Sequence, residues 1–116
     1  MGHALYTATI EGELAWSVIR LADMERAGGV YTDIEGIVDQ LLLTEGVELA
    51  CLFIERANRR VKLSLRSRAR VDVSQIARGL DPDGGGHRRA AGVELPLTMD
   101  AVLSRVPAFL SAAVED

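Results

Sequence analysis

Cysteine is almost missing from this chain of 116 residues; there is one, Cys51. That excludes a disulfide framework, so the fold has to rest on a packed core. Aromatic residues make up only 4%, so stacking of several bases on aromatic rings is excluded as the main source of any nucleic-acid affinity. Histidine occurs twice, at His3 and His87. No apolar run approaches the ~20 residues needed to span a bilayer, and no signal peptide is apparent. With a single thiol, these features suit a reducing cytoplasm. What is present is an ordinary globular balance, 48% hydrophobic and 26% charged. At this length it fits one domain with one core.

The net charge of -4 argues at first against an anionic ligand. Its distribution does not. Residues 1–55 carry a net -8, residues 56–89 a net +7 and residues 90–116 a net -3. A basic window in an acidic chain steers anions to one face. The alternative is a solvated basic face with no ligand.

The basic window ends in Gly84-Gly85-Gly86-His87-Arg88-Arg89-Ala90-Ala91-Gly92. Three glycines run into a helix-compatible segment, with Gly92 as its stop. The leading N–H groups of such a helix would cradle a phosphate, and Arg88 and Arg89 would add charge. Upstream, Val61 to Arg68 alternates. As a strand it sends Val61, Leu63, Leu65 and Ser67 to one side, and Lys62, Ser64, Arg66 and Arg68 to the other. The polar side sets three cations and a hydroxyl in a row with neighbours about 7 Å apart, a spacing that resembles that of successive phosphates along a strand. The competing reading is a charged edge that deters aggregation. The same basic window leads on into the glycine loop, which favours the ligand.

The remaining elements follow from periodicity. Leu5 to Ile10 reads as a strand closed by Gly12. Leu14, Val18, Leu21 and Ala22 recur at helical spacing, predicting a helix from Glu13 to about Met24, with Trp16 packed at its edge. Gly28-Gly29 breaks the chain, and Thr32 or Asp33 caps a helix carrying Ile34, Ile37, Val38, Leu41 and Leu42. Asp33, Glu35 and Asp39 read as capping and a solvated face rather than a metal cluster. Gly46 ends that helix. Val47 to Ile54 is a strand buried on both faces, with Cys51 as filler. Asn58 marks a turn, and Asp72 or Ser74 caps a short helix. Leu80-Asp81-Pro82-Asp83 is turn chemistry, and Val93 to Leu95 is a last short strand. Met99 to Val114 is an amphipathic helix that Pro107 kinks or splits.

Three blocks taken together carry a resemblance: Lys62-Leu-Ser64-Leu-Arg66-Ser67, Val71-Asp-Val-Ser-Gln-Ile-Ala77, and Gly84-Gly-Gly-His-Arg-Arg-Ala-Ala-Gly92. In this order they resemble the DHH-associated substrate-binding domain, the C-terminal domain of DHH phosphoesterases. The glycine-His-x-x-Ala-Ala-Gly form, with Asp33-Ile-Glu35-Gly36, looks most like the oligoribonuclease/pAp-phosphatase (nanoRNase) branch, with cyclic-dinucleotide phosphodiesterases close by. The alanyl-tRNA synthetase relatives differ after the glycines and rank lower.

The resemblance implies an α/β fold, a mixed sheet of about five strands with helices packed on it. It implies that Arg66, Ser67, Gly84, Gly85, Gly86 and His87 touch a nucleotide phosphate or base. Lys62, Ser64 and Arg88 join this set from the strand pattern and the loop. The implied partners are short RNA or a mononucleotide bisphosphate, and a DHH catalytic domain of the same parent protein. That separate domain is expected to carry manganese, and this chain none. Two features depart from the family pattern. Asp83 stands where a fourth glycine is common, and no Asp-His-His motif occurs. Two histidines are too few for the family's dinuclear site. The chain is therefore expected to bind substrate without being catalytic alone. The alternatives are a stand-alone regulatory module, a cyclic-dinucleotide phosphodiesterase fragment, or an autonomous hydrolase using Ser64 or Ser67 with His87.

Overall fold

The computed structural model describes residues 8–26 and 34–115. The expected break at Gly28-Gly29, the cap at Thr32 or Asp33, and most of the strand expected from Leu5 lie outside the described residues. The chain forms β1 (Thr9–Glu11), β2 (Leu14–Ile19), α1 (Leu21–Arg26), α2 (Ile34–Leu43), β3 (Leu49–Arg56) and β4 (Arg60–Ser67). Then follow α3 (Val73–Leu80), β5 (Gly85–His87), β6 (Ala90–Leu95), α4 (Met99–Leu103) and α5 (Val106–Glu115). Among the described residues, six strands make one mixed sheet in the order β1-β2-β3-β4-β6-β5. Only β2 and β3 pair in parallel; the other neighbours are antiparallel. The expected α/β class with a mixed sheet is what forms, one strand larger.

One element departs sharply from its periodicity. Leu14 to Ile19 is a strand, not the first turns of a helix. Its run Leu-Ala-Trp-Ser-Val-Ile is apolar on both sides and sits between β1 and β3. Leu14, Ala15 and Ile19 are all fully buried. A strand with neighbours on both edges and layers on both faces needs apolar residues everywhere, so the spacing of Leu14 and Val18 carried no helical information. Helix forms only after Arg20, where the Leu21 N–H donates to Glu55 Oε1 at 2.8 Å. Trp16 packs edge-on against Phe53, with ring centroids 5.6 Å apart and planes at 87°, a favoured aromatic geometry.

Two cores flank the sheet. On one face α2 lays Ile37, Val38 and Leu41 on Ala15, Ile19, Ala50, Leu52 and Ile54. On the other, α3, α4 and α5 bury Val73, Ile76, Ala77, Met99, Val102, Val106 and Leu110 against Leu49, Phe53, Leu63, Leu65 and Val93. Cys51 is fully buried in that second core, and its thiol is pushed well up by desolvation. It fills space, as expected of it, and is no thiolate nucleophile.

Local signals fix the connections. Asn58 and Arg59 take positive φ values of 64° and 58° in the three-residue turn 57–59 between the paired Arg56 and Arg60, the left-handed backbone a tight hairpin turn uses. Asp72 caps α3, its side chain accepting from the Ser74 and Gln75 N–H groups. The last helix divides at Ser104–Arg105, and Pro107 lies in the first turn of α5, where its missing N–H costs nothing.

Candidate functional site

α2 covers β2, β3 and part of β4, and leaves the same sheet face open over β4, β6 and β5. The register lines up residues there in rows. Arg66 pairs with Ala90, and Ala90 with His87; Ser64 pairs with Gly92, and Gly92 with Gly85; Lys62 pairs with Glu94. Cross-strand partners share a face, and two strand spacings put the Arg66 and His87 Cα atoms roughly 10 Å apart. A cleft of about 290 Å³ lies over these rows, walled by Glu35, Lys62, Ser64 and Arg66 and floored by Gly85, Gly86, Ala90, Ala91 and Gly92. The floor is low because its residues carry a methyl group or nothing.

The glycine stretch is not a helix entry. His87 and Ala90 flank Arg88-Arg89 as a two-residue turn, so the segment is a β-hairpin. β6 therefore begins at Ala90, and Gly92 lies inside it rather than stopping a helix. The reason is tertiary. β4 needs a second antiparallel partner along Val61–Arg66, and β6 supplies it from Ala90 to Leu95. The turn is tied back, with Val73 N–H donating to Arg88 O at 2.8 Å and Ser67 N–H to Arg89 O at 3.1 Å. Any anion held here meets a strand edge and side chains, not helix-terminal donors.

Each glycine has its own reason. Gly84 lies against α3; a Cβ there would stand 2.5 Å from Ala77 O and 2.9 Å from Val93 Cγ2. Gly86 has a φ of +146°, and its Cβ would meet Ala90 O at 2.6 Å and Ala91 Cα at 2.7 Å. Both are glycine because backbone passes too close for anything else. Gly85 faces open space. At Gly92 an added Cβ would sit 3.4 Å from Lys62 Cε and 3.9 Å from Nζ. The Lys62 side chain thus lies across Gly92, which brings its ammonium over the cleft floor.

Arg66 is held firmly. Its side chain is 16% exposed, and it pairs with Glu35 Oε1 through Nη2. Asp39 Oδ1 lies 3.6 Å from its Nε, and Nη1 donates to Leu65 O at 3.0 Å. Burial lowers the pKa of the guanidinium from its ordinary value, although the group stays charged at any working pH. Glu35 and Asp39, read from sequence as a solvated face, are the partners of this cation. The signal was available in part: residues four apart on a helix share a face, but nothing local shows what that face meets.

The structure thus gathers Lys62, Ser64, Arg66, Gly85 and Gly86 into one cleft, with His87 in the Arg66 row. Four other residues lie elsewhere. Gly84 packs on α3. Ser67 is buried on the opposite face, and its hydroxyl donates to Val71 O at 2.6 Å. Arg88 is 63% exposed, and its Nη1 reaches toward Asp72 Oδ2 at 3.6 Å. Arg68 falls past the end of β4; it donates to Val47 O at 3.0 Å and to Leu42 O near the end of α2. The cation row is therefore shorter than the alternation predicts, because the strand ends one residue before it. Glu94 bonds Arg60 and is flanked by Arg56 and Lys62; the Arg60 hydrogen bond first, and then the charges of Arg60, Arg56 and Lys62, hold its carboxyl below its ordinary value against the opposing desolvation.

Among the described residues no group of three or more His, Cys, Asp or Glu is arranged to hold a metal ion. Nor is any helix among them long and apolar enough to cross a membrane. Neither Ser64, 5% exposed, nor the buried Ser67 is placed as an accessible nucleophile.

Among solved structures, the chain is similar to an exopolyphosphatase-related protein from Bacteroides fragilis, with a TM-score of 0.80 and 23% identity. The match covers 90% of this chain and 31% of that one, so this chain spans about a third of the length of that relative. A protein from Helicobacter pylori G27 described as uncharacterized matches at 18% identity and a TM-score of 0.46, over 76% of this chain and 22% of the other. No curated protein matches in a sequence search. Residues 18–115 match the DHHA1 domain, and the span runs from β2 through the glycine hairpin to α5: the chain belongs to the DHHA1 domain family.

Proposed function

We propose that this chain is the substrate-holding module of a DHH-family phosphoesterase acting on the ends of short RNA or on pAp. The observation that carries the reading is the convergence of Lys62, Ser64, Arg66 and the Gly85-Gly86 edge on one open cleft. These are an ammonium lying across Gly92, a largely buried hydroxyl, a fixed guanidinium and a floor low enough for close approach. Together they suit a phosphate attached to a sugar.

The chain's own contribution is binding and orientation. Lys62 meets the phosphate as a point charge and Arg66 as a directional one. His87, in the row of Arg66, stands at the outer rim, where it contacts the substrate terminus. Hydrolysis of the P–O bond belongs to a DHH catalytic domain elsewhere in the parent protein, and the expected manganese belongs with it. Holding the substrate end converts attack at phosphorus into an effectively intramolecular step. The reducing cytoplasm is the compartment this reading assigns.

The test is a titration with a 5′-phosphorylated RNA dinucleotide over a salt series. Single-strand binding loses affinity with salt in proportion to the phosphates neutralised, with a log–log slope of about -0.7 for each. Arg66→Ala is expected to weaken binding about tenfold or more and to flatten that slope. Affinity and slope both identical to wild type would refute the assignment.

A further inference from the structure

The cleft has two chemically different ends. At one, the Lys62 ammonium crosses Gly92 and supplies positive charge. At the other, Glu35 lines the wall beside Arg66 with its carboxylate 65% exposed. A phosphate pressed against Glu35 would meet like charge, which is unfavourable. The group that fits there brings hydrogen-bond donors. Arg66 takes Oε1, and a carboxylate carries lone pairs on both oxygens. The ion pair to a nearly buried guanidinium fixes the Glu35 side chain, so its acceptor direction is set before a ligand arrives.

The spacing selects the donor. Lys62, Ser64 and Arg66 occupy alternate positions of β4, so neighbouring rows are roughly 7 Å apart. A phosphate over the Ser64–Gly92 row would place its attached sugar, not its base, beside the Arg66 row. The donors of a sugar are its hydroxyls, and a carboxylate is a strong acceptor for them. We infer that Glu35 is a specificity-determining residue that reads a ribose hydroxyl, so that the cleft prefers ribonucleotide over deoxyribonucleotide ends. This rests on the proposed function, since it presumes a phosphate in the same cleft.

The experiment compares the ribodinucleotide pApA with its 2′-deoxy counterpart by calorimetry. Wild type is expected to bind pApA about tenfold or more tightly, the worth of one hydrogen bond to a charged acceptor that is left unmade. Glu35→Gln, nearly isosteric and exposed, is expected to shrink that ratio, and Glu35→Ala to bring it close to one. The loss should fall on pApA, with affinity for the deoxy ligand unchanged or raised. Circular dichroism of both variants checks the fold. Equal wild-type affinity for the two ligands would overturn the inference, and so would an unchanged ratio in both variants. Equal strengthening of both ligands would also overturn it, because Glu35 would then be only a competitor for Arg66. If instead Arg66→Ala leaves pApA binding and its salt slope untouched, the underlying reading fails first. A clear Arg66 effect without ribose preference leaves that reading standing and sinks this one alone.

Discussion

Glu48 gives the sharpest test of how the fold carries the cleft. It is 7% exposed and immediately precedes β3. Its Oε2 accepts from three successive backbone N–H groups: Ala69 at 3.2 Å, Arg70 at 2.6 Å and Val71 at 2.8 Å. This fixes the link from β4 to α3, and α3 in turn packs on the cleft strands β5 and β6. Burial pushes the Glu48 carboxyl up, but the bonds from Val71, Arg70 and Ala69 and the charge of Arg70 outweigh it. The net result is a pKa below the ordinary 4.5. A hydrogen bond to a charged group contributes about 1.5–3 kcal/mol, and an orphaned buried donor costs about 1–3. The three are not additive, and the Ala69 contact is long. Glu48→Ala should therefore cost about 3–5 kcal/mol. Glu48→Gln, which keeps one acceptor oxygen, should cost about 1–2. The sign with pH follows from the lowered folded pKa. The stabilisation is full above the unfolded value and is lost as pH falls through the folded one. Urea unfolding of wild type and Glu48→Gln from pH 7 down to 3 reads this directly, and the gap between them should close on the acid side. A gap under about 0.3 kcal/mol at pH 7, or one that does not depend on pH, would refute the reasoning.

Two glycine substitutions separate fold from binding. Gly86→Ala drives a methyl group into the backbone of Ala90 and Ala91 at a positive φ, and should destabilise by about 2–3 kcal/mol in urea denaturation. Gly92→Ala meets only Leu63 O and the Lys62 stem at 3.4 Å. It should cost less than about 1 kcal/mol yet weaken dinucleotide binding severalfold by shifting Lys62. The opposite order, with Gly92→Ala unfolding the chain and Gly86→Ala neutral, would contradict the hairpin geometry. The salt-series test of Arg66→Ala and the ribose-preference test of Glu35 complete the set.

What the sequence determined by itself was everything written in short-range chemistry. The almost unbroken apolar run of Val47 to Ile54 read as a doubly covered strand, which the structure starts at Leu49 and carries to Arg56. The alternation from Val61 could only put Leu63 and Leu65 in a core and Ser64 and Arg66 opposite. Asn58 marked the turn, Asp72 or Ser74 marked the cap that Asp72 makes, and Pro107 marked the kink or split at which the last helix divides. The cleft's cationic wall was legible for the same reason: period two fixes a side chain's face once the strand exists. Tertiary structure decided what depends on a partner far along the chain. Leu14 to Ile19 became a strand because β3 and β1 lie on its two edges. The glycine–histidine stretch became a hairpin because β4 had an open edge to fill. Glu35 and Asp39 became partners of Arg66 because α2 lies beside β4. Strand pairing and helix docking are long-range events whose hydrogen bonds and buried area outweigh local propensity. For that reason the residues of this cleft could be named from sequence, while the surface they form together could not.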